Sequence, residues 1–405
     1  MVMKLPNDTR MLVGGAALAV IIAAGLIVLW RTSPSRSPRS QETQLLAALW
    51  QNYKRTSWEA SSGRTIDHQS ESVTTSEGQG YTLLRAAWEN DQPTFTKTWQ
   101  WTAAHLQRPD KLFSWRWGTR ADGSSGILTD QGGQNTASDA DTDIAFALLL
   151  AYGRWHVPEY LQAAQAIVPA IWQQEVVQVA GKPVLVADNL ERQSTSGVVA
   201  VNPSYFAPYA YRVFARLDPA HDWNGLVRNS YALIAAASQS KLDTSRSADL
   251  PPDWLSVQTR TGQLAATGNS SQTTDFGYDA FRTVWRTALD AHWSHDAQAA
   301  QSLSQYGFLD SQWSGRQQLV AVYGHDGSRQ ADYESVALYG GTLGYFQDEH
   351  EPAAAAIVQQ KLLPLYDQKS GGLTHSLNYY DNNWAWFGLA LYLGHLPNLA
   401  KGIGR

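Results

Sequence analysis

One pattern dominates the chain from residue 42 to residue 405. Ala, Leu and Trp recur at steps of three and four residues, the spacing that lays side chains along one face of an α-helix. TLLRAAWEN at 82–90, DIAFALLLAYGRW at 143–155 and NWAWFGLALYLG at 383–394 all carry it. About ten to twelve such stretches follow one another without a fixed-period repeat, and only short β-like pieces such as PVLVAD at 183–188 interrupt them. The fold class is therefore all-α. Helix faces this broad do not all fit one bundle. Two concentric layers or a stack of hairpins would both bury them, and the pattern alone does not choose. Loops rich in Gly, Ser, Asn and Asp lie at 118–138, 188–204, 238–254 and 259–277. On a helical scaffold, function is expected on the face that carries such loops.

Ahead of this body, Met11 to Trp30 is a run of twenty uncharged residues. As a helix it would rise about 30 Å, the thickness of a hydrocarbon core, so residues 11–30 read as a transmembrane anchor behind a short N-terminal segment, residues 1–10. The run passes straight into Trp30, Arg31 and Thr32 without a small-x-small site, which favours an anchor that stays uncleaved. Residues 31–41, RTSPSRSPRSQ, read as a flexible linker, leaving residues 42–405 as the folded domain. Lys4 and Arg10 flank one side of the span and Arg31, Arg36 and Arg39 the other, a count that mildly favours a cytoplasmic body without settling the orientation.

Composition removes several chemistries. The chain has no Cys, which excludes disulfide frameworks, thiol nucleophiles and cysteine-ligated metal sites. Lys plus Arg number 31 against 36 Asp plus Glu, so no basic field draws a phosphate backbone and nucleic acid is not an expected partner. His68, His105, His325 and His375 lack ligand spacing such as HExxH, and neither a GxSxG elbow nor a phosphate loop occurs; no metal and no cofactor is expected. The 17 Trp and 18 Tyr, many beside Gly, Asn, Gln or Asp, suit the flat faces of sugar rings.

Three acidic motifs stand at the heads of apolar helices. In TSEGQGY at 75–81, Ser76 and Gln79 can form a capping box and Glu77 can complement the helix dipole. Gly78 and Gly80 exceed that reading. Glycine costs about 1 kcal/mol relative to alanine inside a helix, so something must approach the backbone closely beside Glu77. In ASDADTDIA at 137–145, Ser138 can cap with Asp141 as its box partner, yet three carboxylates in five residues repel one another unless a ligand, a cation or buried donors share them. The ligand spacing of a calcium loop and its closing Glu are absent. In TDFGYDAFR at 274–282, Asp279 and Arg282 form an i, i+3 ion pair between Tyr278 and Phe281; a partly buried Arg there would hold the carboxylate ionised, as a general base requires.

The stretch ASDADTDIAFALLLAYGRW at 137–155 resembles the signature segment of glycoside hydrolase family 8. SEGQGY at 76–81 resembles the family's segment around its catalytic acid, and GYDAFRTVWRTALD at 277–290 its segment around the base. NPSYFAPYAYRVF at 202–214, PPDW at 251–254 and YYDNNWAWFGLAL at 379–391 follow in the family's order, so the likeness covers about residues 45–400. It implies an (α/α)6 barrel, six inner and six outer helices with a cleft across one end. It also implies inversion, with Glu77 as the acid that protonates the leaving oxygen and Asp279 as the base that activates water. Asp139 would grip the distorted sugar, Tyr205 and Tyr278 would position water and sugar, and Arg282 would orient Asp279. Asp141 would only support the loop.

Inversion needs room for a water, so the carboxyl groups of Glu77 and Asp279 are expected roughly 6.5 to 9.5 Å apart, with apolar neighbours such as Tyr81 keeping Glu77 protonated. An Asp at the base position favours the cellulase and xylanase branch over the chitosanase branch. Trp115 and Trp117, and with them Trp101, fall between the acid and the signature Asp, where a cleft wall could stack sugar rings; core burial is the competing reading. Trp155, Trp285, Trp384 and Trp386 read as structural.

The leading expectation is a membrane-anchored inverting endo-glycosidase acting outside the cell on a β-1,4-linked polysaccharide, cellulose or a related bacterial exopolysaccharide, with the exopolysaccharide synthesis machinery as a candidate partner. Xylanase- or chitosanase-type specificity, a non-hydrolytic polysaccharide-binding protein on the same fold, and a polysaccharide lyase are the alternatives. A lyase would bring Arg or Lys clusters to neutralise a uronic acid, and none surrounds the three motifs.

Overall fold

Helix α1 (Pro38–Ser57) opens on a proline, whose fixed φ suits the first helical position. It therefore begins inside the stretch read as a linker rather than at residue 42. The computed structural model describes residues 38–374 and 378–404, with side chains from Gln44 onward. The candidate anchor, residues 11–30, lies outside the described residues, as does His375; among the described residues no helix is long and apolar enough to cross a membrane.

Residues 46–405 form one compact unit. After α1 its helices run α2 (Ser76–Trp88), α3 (Gln92–His105), α4 (Ser138–Trp155), α5 (Pro158–Glu175), α6 (Asn189–Gln193), α7 (Pro208–Leu217) and α8 (Trp223–Gln239). They continue with α9 (Ala280–Ser294), α10 (Ala297–Ser304), α11 (Gly307–Arg316), α12 (Val336–Glu349), α13 (Glu351–Ile357) and α14 (Tyr379–Tyr392). Six of them close a ring in which α2 touches α4, α4 touches α7, α7 touches α9, α9 touches α12, α12 touches α14 and α14 touches α2. Of these inner helices, α2, α4, α9, α12 and α14 are buried almost all the way round. That is why their sequences look apolar on every face.

The next helix in the chain backs each inner one: α3 on α2, α5 on α4, α8 on α7, α10 on α9 and α13 on α12. The sixth outer helix is α1, whose Leu46 carbonyl accepts from the Trp386 indole of α14 and whose Trp50 and Tyr53 rings receive Arg85 of α2. Two concentric helical layers are thus the arrangement, consistent with an (α/α)6 barrel. Close approach inside the ring depends on glycine. A Cβ on Gly340 of α12 would lie 2.1 Å from the Trp384 carbonyl oxygen of α14, and one on Gly388 would lie 2.2 Å from the Gly340 oxygen.

The polar loops carry small antiparallel sheets. β1 (Thr74–Thr75), β2 (Arg116–Thr119) and β3 (Ser125–Ile127) form one, with Thr74 opposite Trp117. β4 (Val176–Val179) and β5 (Lys182–Leu185) form a hairpin. β6 (Val198–Val201), β7 (Leu255–Gln258) and β8 (Leu264–Ala265) form a second three-stranded sheet, and β9 (Tyr366–Asp367) pairs with β10 (Gly372–Leu373). Trp285, Trp384 and Trp386 are buried as expected of core residues, but Trp155 is half-buried and donates its indole N–H to Asn90 at 2.8 Å.

Candidate active site

The inner helices bring their N-termini to one place. Glu77 is the second residue of α2, Asp139 the second of α4, Asp279 the N-cap of α9 and Tyr379 the first of α14, while Tyr205 ends the 3-10 turn at 203–205 ahead of α7. Arg282, one turn into α9 and only 1% exposed, ties the acids together. Its Nη1 donates to Glu77 Oε2 at 2.8 Å, to Asp139 Oδ2 at 3.0 Å and to the Tyr81 hydroxyl at 3.2 Å; its Nη2 donates to Asp279 Oδ1. The Tyr205 ring lies 5.3 Å from the guanidinium carbon. Sequence pattern suggested only the Asp279 pair; Arg282 in fact serves all three acidic motifs.

Glu77 sits where a carboxyl holds its proton to unusually high pH. Burial pushes its carboxyl up to about 7, and the charges of Asp139 and Asp279 push the same way, against Arg282 and a 2.7 Å hydrogen bond from the Tyr379 hydroxyl to Oε1. One guanidinium faces three carboxyls, so a proton kept on Glu77 relieves the excess negative charge. The side chain remains 20% exposed, open to a ligand. Asp279, 30% exposed, accepts from Arg282 on one oxygen and from the Trp254 indole on the other at 2.9 Å. Burial also raises Asp139, which is only 3% exposed, against Arg282 and Arg286.

The DADTD cluster resolves into three separate partnerships. Asp139 faces Arg282, and Asp143 meets Arg286 through two bonds of 2.8 and 2.7 Å. Asp141 accepts from the Phe113 amide at 2.8 Å, Glu175 accepts from the Thr136 hydroxyl at 2.6 Å, and burial raises both carboxyls, that of Glu175 further through the charge of Asp141. Buried donors, the Arg282 and Arg286 guanidinium groups and the Phe113 amide, thus hold the cluster, and Asp141 braces the loop. Among the described residues no group of acids and histidines is placed to hold a metal ion.

Both expected capping boxes are replaced. Thr75, not Ser76, caps α2 by accepting from Gly78 N at 3.0 Å. Gln79 turns away to accept from Thr65 N at 2.6 Å and to donate to Thr102 at 2.8 Å. In α4 the N-cap is Ala137, without a side-chain cap, because Ser138 donates to the Val186 carbonyl at 2.7 Å. Of the glycines beside Glu77, Gly78 marks a close approach, since a Cβ there would stand 3.3 Å from the Tyr379 ring, whereas one on Gly80 would make only ordinary contact, 3.4 Å from Asp143 Cβ.

Tyr278 is 39% exposed and anchored through its carbonyl by the Tyr380 hydroxyl. Trp115 and Trp117 are half-buried beside β1, with Ser76 N donating to the Trp115 carbonyl at 3.0 Å. The Trp117 ring packs edge-on to Trp101 at 5.3 Å beneath Arg64, and the Trp115 indole donates to Gly132; neither ring is among the contacts of the three carboxylates. Trp101 is buried. Pattern reading missed Tyr379, Trp254 and Asp253, although all three lie in the YYDNNW and PPDW segments that carried the family likeness.

The family model for glycosyl hydrolases family 8 matches residues 36–355. The chain belongs to that family. Endoglucanase A of Acetivibrio thermocellus is 27% identical over 371 residues, covering 89% of this chain and 71% of its own length. An endoglucanase of Pseudomonas fluorescens is 26% identical over 325 residues, covering 78% of each. Among solved structures, the endo-1,4-D-glucanase of Vibrio fischeri superposes with a TM-score of 0.71 at 25% identity, over 85% of this chain and 94% of that one. The protein is a family 8 glycoside hydrolase, and the cluster around Arg282 is its candidate catalytic centre.

Proposed function

We propose that the protein is an inverting endo-glycosidase that cleaves β-1,4 linkages of a glucan, cellulose or a related bacterial exopolysaccharide. The observation that carries this reading is the pairing across Arg282 of Glu77, a carboxyl held up to about 7, with Asp279, a more exposed carboxylate. The endoglucanase names of the family relatives support the substrate class.

In the first half of the reaction, Glu77 gives its proton to the glycosidic oxygen as the bond from the anomeric carbon to that oxygen breaks. A water attacks the opposite face, and Asp279 takes the proton that the water loses. The products are a new reducing end of inverted configuration and a free 4-hydroxyl; solvent then returns a proton to Glu77 and removes one from Asp279. Asp139 and Tyr205 border the same arginine and would hold the sugar at the cleavage point, with Tyr278 at the exposed rim.

A polymer substrate lies outside the membrane, so the reading places residues 42–405 there, held by residues 11–30, beside the machinery that makes or exports the polysaccharide. Protease treatment of intact cells should digest the body; a protected body would overturn the placement. Reducing-sugar release from cellulose, mixed-linkage glucan, xylan and chitosan tests the chemistry. Release is expected on a β-1,4-glucan and lost in Glu77→Gln, whereas unchanged release by Glu77→Gln would contradict the assignment.

A further inference from the structure

Helix α9 poses a physical problem at its first turn. Its N-cap is Asp279, a residue type that ordinarily turns its carboxylate back onto the N–H groups of its own helix, yet Asp279 makes no such bond. Its two oxygens are taken by Arg282 and Trp254 instead. The orphaned donors of the helix end must be met by something else.

The N–H groups of Phe281 and Arg282 turn to the Gly277 and Asp279 carbonyls, and those of Asp279 and Ala280 are met by Asp253, from the loop ahead of β7. A single oxygen of Asp253, Oδ1, accepts from Gly277 N at 3.2 Å, Asp279 N at 3.0 Å and Ala280 N at 2.6 Å. The carboxyl lies so close to this turn that a Cβ on Gly277 would come 2.6 Å from Asp253 Oδ2. The loop is itself fixed, with Asp253 N donating to the Asp275 carbonyl at 2.7 Å and Trp254 N to the Thr273 carbonyl at 2.9 Å. The next residue supplies the second grip. The Trp254 indole N–H reaches Asp279 Oδ2 at 2.9 Å, and its ring is steadied edge-on by Tyr205 at 5.7 Å.

We infer that Asp253 and Trp254 act together as a positioning clip for Asp279, one residue holding its backbone and the next holding its side chain. The clip caps α9 from outside, which frees Asp279 to direct its carboxylate toward the cleft. Arg282 alone leaves the second oxygen of Asp279 without a partner, whereas Trp254 fixes the rotation about the last side-chain bond and thus the oxygen that would face the attacking water. A base displaced by about 1 Å can lose on the order of 10²-fold in rate.

This inference rests on the reading of Asp279 as the base, and four variants of the full chain separate the two. Asp279→Asn tests that reading; its activity should collapse, and retention of activity would overturn both. Asp253→Ala should lower kcat by about 10²-fold with KM little changed. Asp253→Asn keeps an acceptor oxygen and should restore kcat to within a few-fold of the parent. Trp254→Phe keeps the ring but loses the indole donor that holds Asp279 Oδ2. It should lower kcat by about tenfold with KM little changed. If Asp279→Asn is inactive while Trp254→Phe keeps the parent's kcat, the clip is overturned and the base assignment survives. The clip is likewise overturned if Asp253→Asn is as impaired as Asp253→Ala, or if Asp253→Ala loses only thermal stability at unchanged kcat. Should Asp253→Ala not fold, Asp253→Asn and Trp254→Phe still decide.

Discussion

Glu77 and Arg282 stand 205 residues apart in sequence and 2.8 Å apart in space, yet the carboxyl is raised rather than lowered. Desolvation by burial outweighs the attraction of the guanidinium, with the charges of Asp139 and Asp279 adding to it. The consequence is an acid poised to give up its proton near neutrality. kcat/KM should therefore fall as pH rises through about 7. In Asp139→Asn, which removes one neighbouring negative charge, the residual activity should lose its alkaline limb at lower pH than the parent; a limb that stays in place would detach Glu77 from that limb.

Asp143 and Arg286 are both almost fully buried and joined by two hydrogen bonds, with the Tyr209 hydroxyl accepting a third from Arg286 at 2.6 Å. Removing one partner strands the other charge in the barrel, at a typical cost of about 3–5 kcal/mol. Asp143→Ala should lower the denaturation midpoint strongly. The double replacement Asp143→Leu with Arg286→Met should recover much of the loss, as denaturant titration of the three proteins would reveal.

The Asp141 and Glu175 pair makes stability depend on pH in a defined direction. Asp141 is raised from 3.8 to about 8 and Glu175 well above its ordinary value, both chiefly by burial, so the folded chain holds protons that the unfolded chain releases. Their contribution is complete below about pH 4 and is lost as pH rises toward 8. Thermal unfolding across that window should give a midpoint that drifts downward with pH in the parent and a flatter line in Asp141→Asn.

Gly341 of α12 faces the Phe281 ring, where an added Cβ would lie 2.1 Å from Cδ2. Phe281 directly precedes Arg282, so the strain of Gly341→Ala, typically about 1–3 kcal/mol, falls on the helix that carries the arginine. Both the unfolding free energy and kcat should drop, measured by denaturant titration and by initial rates on a soluble glucan.

Much of this was legible in the sequence because its physics is local. The apolar runs at 143–155 and 383–394 fall largely in α4 and α14, and Glu77, Asp139 and Asp279, which local pattern marked only as acids ahead of apolar helices and the family resemblance singled out, stand at the heads of inner helices. Arg282 was legible as the partner of Asp279 because three residues in a helix form one turn. What stayed hidden is long-range. Tyr379 reaches Glu77 across 302 residues, Trp254 reaches Asp279 from another loop, and Asp253 takes over a cap that pattern rules assign to the N-cap residue itself. The capping boxes at Ser76 and Ser138 failed for a related reason: Gln79 and Ser138 found better partners in Thr65, Thr102 and Val186, none of which a local rule can see.

The stereochemistry of the first product tests the central claim most directly. Proton NMR of a soluble cello-oligosaccharide, followed within the first moments of hydrolysis before mutarotation, resolves the anomeric signal of the new reducing end. An acid and a base acting from opposite faces of the sugar give the α-anomer from a β-linkage. Initial appearance of the β-anomer would mean retention, and Glu77 and Asp279 could not hold the roles assigned to them.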